Sequence, residues 1–395
     1  MVNKEGQREL AYVVQIADVH PIEGSDNCEC AVVNGWNVMV RKGTFQAGDK
    51  AVYFEVDSKV DTTRPEFAFL AKYNGKVKTQ RYTFGGKGNF ISQGLIMPLT
   101  DFGFDAEVGE FLTTKLGVTY YDPEDNIRKD VGVSAYDKML QRNTKFFNKK
   151  FFKWLMRFSW GRKICFFLFK NRGVRNTAFP TKFPYIKVTD EERIENAPTY
   201  LGDRGPWVVT EKLDGTSSTY ILERKGKKFE FYVLSRRVRQ LTSNQKCYHE
   251  NNIYWEMAEK YQIEKHLKDY LRERPELSYV ALQGESVGNV QGNPLKLKEN
   301  DLYIYNFITS DIGRWETAEA YEMIHCWGMK WVPIIAVNRE LPQTMEEMKN
   351  QADGRSEINP RVKREGLVYR KYNSKTLETT SFKNVSNEYL LSKHD

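Results

Sequence analysis

From Lys138 through Lys187 the chain carries no Asp or Glu, yet 14 of these residues are Lys or Arg, and ten aromatics fall between Phe146 and Phe169. A stretch so one-sided in charge does not belong inside a balanced core. It divides the 395 residues into parts of different texture and argues against one large fold. Domains commonly run about 100–200 residues, so two domains and a connector are expected. The natural divisions are 1–120, a basic aromatic connector at 121–175, and 176–395. Within the connector, Phe147, Phe151, Leu155 and Phe158 recur at near-helical spacing, with Lys149, Lys153 and Arg157 between them. That pattern predicts a basic amphipathic helix. Three uses compete for it: lying along a nucleic-acid backbone, docking its aromatic side on a domain, or touching a membrane surface. Its uncharged core ICFFLF, 164–169, is far too short to span a bilayer.

Ahead of the connector, short runs rich in Val, Phe and Tyr begin at ELAYVVQIA, 9–17, and continue from Glu29. Turn signals at Asn34-Gly35 and Gly48-Asp49 break them, and further runs follow at 67–72 and 91–97. Short strands at this spacing predict a small all-β barrel or sandwich. The loops of AKYNGKVKTQRYTFGGKGNF, 71–90, are basic and aromatic. They fit an OB-fold barrel that offers a nucleic-acid platform, or equally a barrel that only packs against its neighbour. Behind the connector, strand-like runs at 207–210, 218–223, 229–234, 279–287 and 302–308 alternate with a charged, solvated helix at about 251–272 and another at 316–329. This predicts an α+β domain of antiparallel sheets and helices.

Composition narrows the classes. The net charge of +8 assists binding to a polyanion without establishing it. Cys28, Cys30, Cys165, Cys247 and Cys326 are scattered, which argues against a disulfide-stapled module and against zinc. The polar start MVNKEGQREL is no signal peptide, and no apolar stretch is long enough for an integral membrane span. The expected compartment is the reducing cytoplasm.

The chemistry-bearing segment is WVVTEKLDGTSSTYI, 207–221. An apolar strand delivers Lys212 to a turn at Asp214-Gly215, so its amine is expected to project into a cleft between sheets, framed by Glu211 and Asp214. A lysine amine has a reference pKa of about 10.4 and is a poor nucleophile while protonated. Nearby cations or burial would lower that value. Candidate cations are Arg236, Arg237, Lys371 and Lys383, and Glu285 and Glu365 supply carboxylates able to hold a divalent metal. Taken alone, Lys-x-Asp-Gly is a common charged hairpin. It is followed, however, by QGESVG at 283–288, the aromatic strand DLYIYNF at 301–307, REGLVYRKY at 364–372 and SFKNVSNEYLL at 381–391.

In that order, these segments resemble the motifs of the covalent nucleotidyltransferase superfamily, which holds DNA ligases, RNA ligases and capping enzymes. Over nearly its whole length the chain is similar to ATP-dependent RNA ligases of the Deinococcus and Naegleria type, with an N-terminal OB-fold domain and a nucleotidyltransferase domain. FPYIKVTDEERIEN, 183–196, and QGESVGNVQGNPLKL, 283–297, share in this likeness. The resemblance implies that Lys212 receives AMP from ATP, with Asp214 and Gly215 supporting the motif turn. Arg236 would touch phosphate or the RNA end, with Arg237 equally reachable. Glu285 would bind the ribose and Tyr305 would stack on adenine, although Phe307 shares its face by period-two spacing. Glu365, with Glu285, would hold Mg2+ or Mn2+, and Lys383 would bind the α-phosphate. Many relatives have Lys-x-Lys where this chain has Lys383 and Val385; Lys371 or Lys393 would have to supply the missing charge. The implied partners are RNA ends, in nicked duplex RNA or an RNA/DNA hybrid. The implied product is a 3′–5′ phosphodiester, of use in repairing broken RNA. An ATP-dependent DNA ligase and a non-catalytic RNA-end-binding protein are the alternatives.

Overall fold

The strand Ala11–Gln15 is buried on both faces, and this sets the plan of the N-terminal domain. Ala11 and Val13 turn to a core with Val52, Phe54 and Phe67, while Tyr12 and Val14 turn to a second core with Ala51, Tyr53 and Trp36. This computed structural model describes residues 9–84, 87–120, 149–169, 177–178, 180–187, 191–236, 238–240 and 252–392. Ala11–Gln15 pairs antiparallel with Lys50–Phe54, which pairs with Leu95–Pro98. Asp18–Pro21, Cys28–Val33 and Trp36–Arg41 form a second three-stranded ladder, turning at Asn34 with φ 51°. The all-β domain therefore closes around its cores through short separate ladders among the described residues. The run at 67–72 is not a strand. Pro65 opens a 3-10 helix through Tyr73 that tucks Phe67 and Leu70 into the core.

The single connector helix expected from spacing is two helices, Lys150–Leu155 and Ser159–Phe169. The turn between them is close, since a Cβ on Gly161 would lie 2.0 Å from the Leu155 carbonyl oxygen. Phe147 falls outside the described residues. Phe151, Trp154 and Phe158 stay largely exposed, so this aromatic side is not buried against either domain.

In the C-terminal domain an eight-stranded sheet faces a five-stranded one. The larger sheet is built on Lys228–Ser235, Thr216–Lys225, Tyr279–Val287 and Asp301–Thr309, neighbours in that order. The smaller runs Glu192–Arg193, Glu378–Val385, Gly366–Asn373, Trp207–Lys212, Ile334–Arg339. The charged stretch expected as one solvated helix breaks at Gln262, φ 48°, into Ile253–Lys260 and Ile263–Glu273. Met257, Leu267 and Leu271 pack on the large sheet, so one face of this pair is core.

The two domains meet at Glu192–Asn196, where Glu192–Arg193 runs parallel beside the last strand with Arg193 opposite Lys383, and Ile194–Asn196 is a 3-10 turn. The Asn196 amide accepts from Trp36 Nε1 at 2.6 Å and from the Tyr12 hydroxyl at 3.1 Å. It donates to Glu55 at 2.8 Å and to Glu192 at 2.7 Å. Gly35 N donates to the Glu195 carbonyl at 2.8 Å, and a Cβ on Gly35 would lie 2.8 Å from Glu195 Cα. Beneath, the Glu195 carboxylate is ion-paired with buried Lys349. Replacing Asn196 by Ala strands several buried polar groups, each costing about 1–3 kcal/mol. Asn196→Ala is expected to lower stability by ~3 kcal/mol in urea unfolding; a change within ±0.5 kcal/mol, the usual range for surface positions, would remove this amide from the domain junction.

Candidate active site

The strand Trp207–Lys212 lies in the small sheet and Thr216–Lys225 in the large one, so Leu213-Asp214-Gly215 is the corner between them. On one side of the corner Lys212 is paired with Gly366, next to Glu365. On the other, Ser217 is paired with Glu285. The corner must be tight. A Cβ on Gly215 would sit 2.3 Å from the Ser286 carbonyl oxygen and 3.1 Å from Glu285 Cγ. Glycine at this position is thus a steric requirement.

The Lys212 amine lies 2.7 Å from a Glu365 carboxylate oxygen. Burial alone would lower its pKa, but Glu365, then Glu285 and Asp214, hold it above the usual lysine value. The expectation that cations depress this amine is therefore overturned: three carboxylates surround it and keep it an ammonium. The same crowding acts on Glu285, which burial pushes up to about 8, with Glu365 and Asp214 adding and Lys212 and Arg236 opposing. Arg236 is thus within electrostatic reach of the site, and Arg237 lies outside the described residues.

Strand alternation sorts the remaining residues. Thr210, Lys212, Val368, Arg370 and Lys383 share the cleft face by register. Glu211 does not. It turns to the other face, where its carboxylate accepts from Glu357 N at 2.8 Å and burial raises its pKa. Lys371 also points away, its amine held by Asp203 at 2.8 and 3.0 Å. Neither frames the amine or compensates for Val385 as expected, because odd positions on these strands face the back of the sheet. Lys393 lies outside the described residues.

Sequence reasoning passed over Arg370, one residue before the lysine it chose. Its guanidinium is buried, 3.2 Å from Thr210 Oγ1 and 5.8 Å from the Tyr305 ring. Burial, only partly offset by Glu191, lowers its pKa to about 10. Glu191 gathers Arg314 at 3.7 Å, Arg370 at 4.0 Å and the Ser381 hydroxyl. Burial opposes its charge, but Arg314, Arg370, Ser381 and Lys383 together hold it below the usual carboxylate range. Arg314 comes from the large sheet and Arg370 from the small one, so this is a cationic wall across the cleft.

The structure also places Tyr305 and Phe307 differently. A register shift opposite Gln283–Gly284 breaks the alternation between Ile304 and Asn306. Phe307 thereby enters the core against Tyr270, Trp315 and Trp327. Tyr305 stays half-buried at the cleft, its hydroxyl 3.2 Å from Ser217 Oγ. A second unforeseen residue is Tyr389, on the short helix Asn387–Ser392, whose hydroxyl donates to Asp214. Burial, followed by the charges of Asp214 and Glu365, pushes that hydroxyl far up, so it remains a donor at physiological pH. An open cavity of about 460 Å³ lined by Phe231, Trp255, Gln262 and Lys265 shares no residue with this cleft.

Glu365 and Glu285 offer hard carboxylate oxygens suited to Mg2+ or Mn2+. Among the described residues no three His, Cys, Asp or Glu side chains form a cage of their own.

A model of an OB-fold domain matches residues 10–99, and the RNA ligase family model matches residues 205–385. The chain is similar to the Naegleria gruberi RNA ligase with pyrophosphate, at 28% identity and TM-score 0.73, over 98% of this chain and 100% of that one. It is similar to a lysine-to-alanine mutant of that enzyme with ATP and manganese, at 28% identity and TM-score 0.71, over 97% and 99% of the two chains. A glutamate-to-alanine mutant with AMP and manganese gives 28% and 0.70, over 98% and 99%. No curated protein sequence matches the chain.

Because Tyr389 orients Asp214 from outside the reacting groups, Tyr389→Phe is expected to slow labelling of the protein by radioactive ATP about tenfold. One lost hydrogen bond to a charged group, about 1.5–3 kcal/mol, is of that order. An unchanged labelling rate would show that the Asp214 contact is only structural.

Proposed function

We propose that this chain is an ATP-dependent RNA ligase, its RNA ligase domain at residues 205–385 following an OB-fold domain, and that it joins RNA ends through an AMP carried on Lys212. The observation that carries this reading is the Lys212 amine at 2.7 Å from Glu365, at a corner that also brings up Glu285 and Asp214. In the first step the amine nitrogen bonds to the α-phosphorus of ATP and the bond to pyrophosphate breaks. The amine must shed its proton to do so. The ion pair with Glu365 keeps that proton in place until Glu365's charge is engaged elsewhere. Mg2+ or Mn2+ held by Glu365 and Glu285 would supply charge neutralisation at the phosphates.

In the second step a phosphate oxygen at the RNA 5′ end attacks the same phosphorus and the N–P bond breaks, leaving the RNA capped by AMP. In the third, the 3′-hydroxyl of the other end attacks the 5′-phosphorus, a phosphodiester forms, and AMP leaves. Tyr305 would stack on the adenine and Glu285 would meet the ribose. Arg236, reaching into the field of Glu285, would contact phosphate or the RNA end. Lys383 would bind the α-phosphate. Arg370 and Arg314 supply the positive charge that Val385 lacks, and their guanidinium forks suit phosphate oxygens. Such a wall works by alignment and fixed charge. The substrate we favour is a nick in duplex RNA or in an RNA/DNA hybrid, where a complementary strand holds both ends in line. The described cysteines Cys28, Cys30, Cys165 and Cys326 are free thiols, which supports a reducing cytoplasmic setting.

Incubation with α-labelled ATP and Mg2+, followed by a denaturing gel, is expected to leave label on the wild type and none on Lys212→Ala. Full labelling of Lys212→Ala would remove this lysine as nucleophile. Arg370→Ala is expected to lower the labelling rate about a hundredfold, the usual cost of deleting one fixed charge-stabilising donor; Lys371→Ala should leave it within about twofold. The reverse order would return the compensating charge to Lys371. Sealing of nicks ending in a ribose 3′-hydroxyl, compared with a deoxyribose 3′-hydroxyl, separates RNA from DNA joining.

A further inference from the structure

We propose that the helix pair Lys150–Leu155 and Ser159–Phe169 docks on an anionic phospholipid surface, lying in the headgroup region without crossing it. Two stripes carry the inference. On the first helix and its exit turn, Phe151, Trp154 and Phe158 recur at i, i+3 and i+7 and are 63%, 50% and 39% exposed. On the second, Trp160, Ile164, Phe167 and Leu168 recur at i, i+4, i+7 and i+8, with Phe167 at 71%. Each set falls on one side of its helix. An aromatic ladder joins them: Trp154 and Phe158 rings are 5.2 Å apart, and Phe158 and Trp160 5.9 Å. Seven large apolar side chains left in water within one compact unit mark an interaction surface.

Charge identifies the occupant. Lys149, Lys150, Arg157, Arg162 and Lys163 are exposed around the stripes. The sequence offers no carboxylate from Lys138 to Lys187. A protein partner would have to be both acidic and apolar. An anionic bilayer is both at once: headgroups for the cations, and acyl-chain boundary for the rings and aliphatic tips. RNA fits less well. Base stacking needs open ring faces, whereas Phe151, Trp154, Phe158 and Trp160 already engage one another, and Ile164 and Leu168 offer nothing to a base. The second helix has 11 residues, about 16 Å at 1.5 Å per residue, against a hydrocarbon core of about 30 Å. No described helix is long and apolar enough to cross a membrane.

The test is flotation of the full chain with vesicles of 70:30 phosphatidylcholine and phosphatidylserine, and with phosphatidylcholine alone, in 0.1 M salt. Wild type is expected to float with the first and not the second. The triple variant Trp160→Ser, Phe167→Ser, Leu168→Ser keeps every charge, and should lose at least tenfold in vesicle-bound protein while labelling of Lys212 is unchanged. That labelling certifies the fold, since none of the three residues is among those that build the cleft. Failure of wild type to float with the anionic vesicles overturns the proposal. So does equal flotation of the triple variant, which would mean that net charge alone binds. A third arm measures binding to a 5′-phosphorylated nicked RNA duplex. If the triple variant loses that binding and neither protein floats, the surface belongs to RNA.

Discussion

The contact on which the cleft depends is the ion pair between Lys212 and Glu365. It joins the end of one strand to the approach of its neighbour, at the point where the chain leaves one sheet for the other. Burial works against the ammonium, but Glu365, with Glu285 and Asp214 near, holds the amine above its usual value, so it stays charged. In the proposed reaction, the resting site is therefore one in which the nucleophile is stored in its unreactive form. Reactivity then hinges on what neutralises Glu365. This places the control of the chemistry on the carboxylates and whatever they bind, and away from the neighbouring cations to which such lysines are often credited.

That arrangement explains the division of labour across the cleft. Negative groups cluster at the corner around Lys212, and positive ones cluster around Glu191, where Arg314, Arg370 and Lys383 converge. A nucleoside triphosphate would meet carboxylates near the reacting nitrogen and guanidinium groups along its phosphates. Glu191 does for the arginines what Glu365 does for the lysine: it keeps like charges packed in a narrow space while their ligand is away. Where a second lysine of the last motif would stand, Val385 lies against Gly366, and in the proposed site Arg370, one strand over, would carry that charge.

Much of this was legible in the sequence because it rests on local order. Asp214, Glu285 and Glu365 each stand beside a glycine, with Lys212 three residues before one, and glycine at a tight corner is a signal that a single sequence carries. What escaped was parity. Glu211 and Lys371 look adjacent to chemistry in the chain, yet one-residue steps along a strand put them on the opposite face. Once Lys212 is paired with Gly366, even positions face the cleft and Arg370 follows, but no single sequence prints that register. The bulge near Tyr305 is harder still, since it breaks the alternation that linked that ring to Phe307. Tyr389 escaped for another reason: its partner, Asp214, lies 175 residues away, and only folding brings the last helix to the corner.

The junction between domains shows why the N-terminal domain matters to a site it does not line. Arg193 runs beside Lys383 in the small sheet, and its guanidinium lies 5.4 Å from the Trp36 ring of the other domain. Three residues along, Asn196 binds Trp36, Tyr12 and Glu55 of that same domain. Glu195, between them, grips Lys349, whose amine also donates to the Val385 carbonyl at 3.0 Å. The strand that carries Lys383 is thus held on one edge by a segment whose outer side is the domain interface. Departures from a buried hydrogen-bonded network of this kind strand polar groups. The N-terminal domain therefore fixes the edge of the sheet from which the phosphate-facing lysine projects, so its orientation and the shape of the cleft are set together.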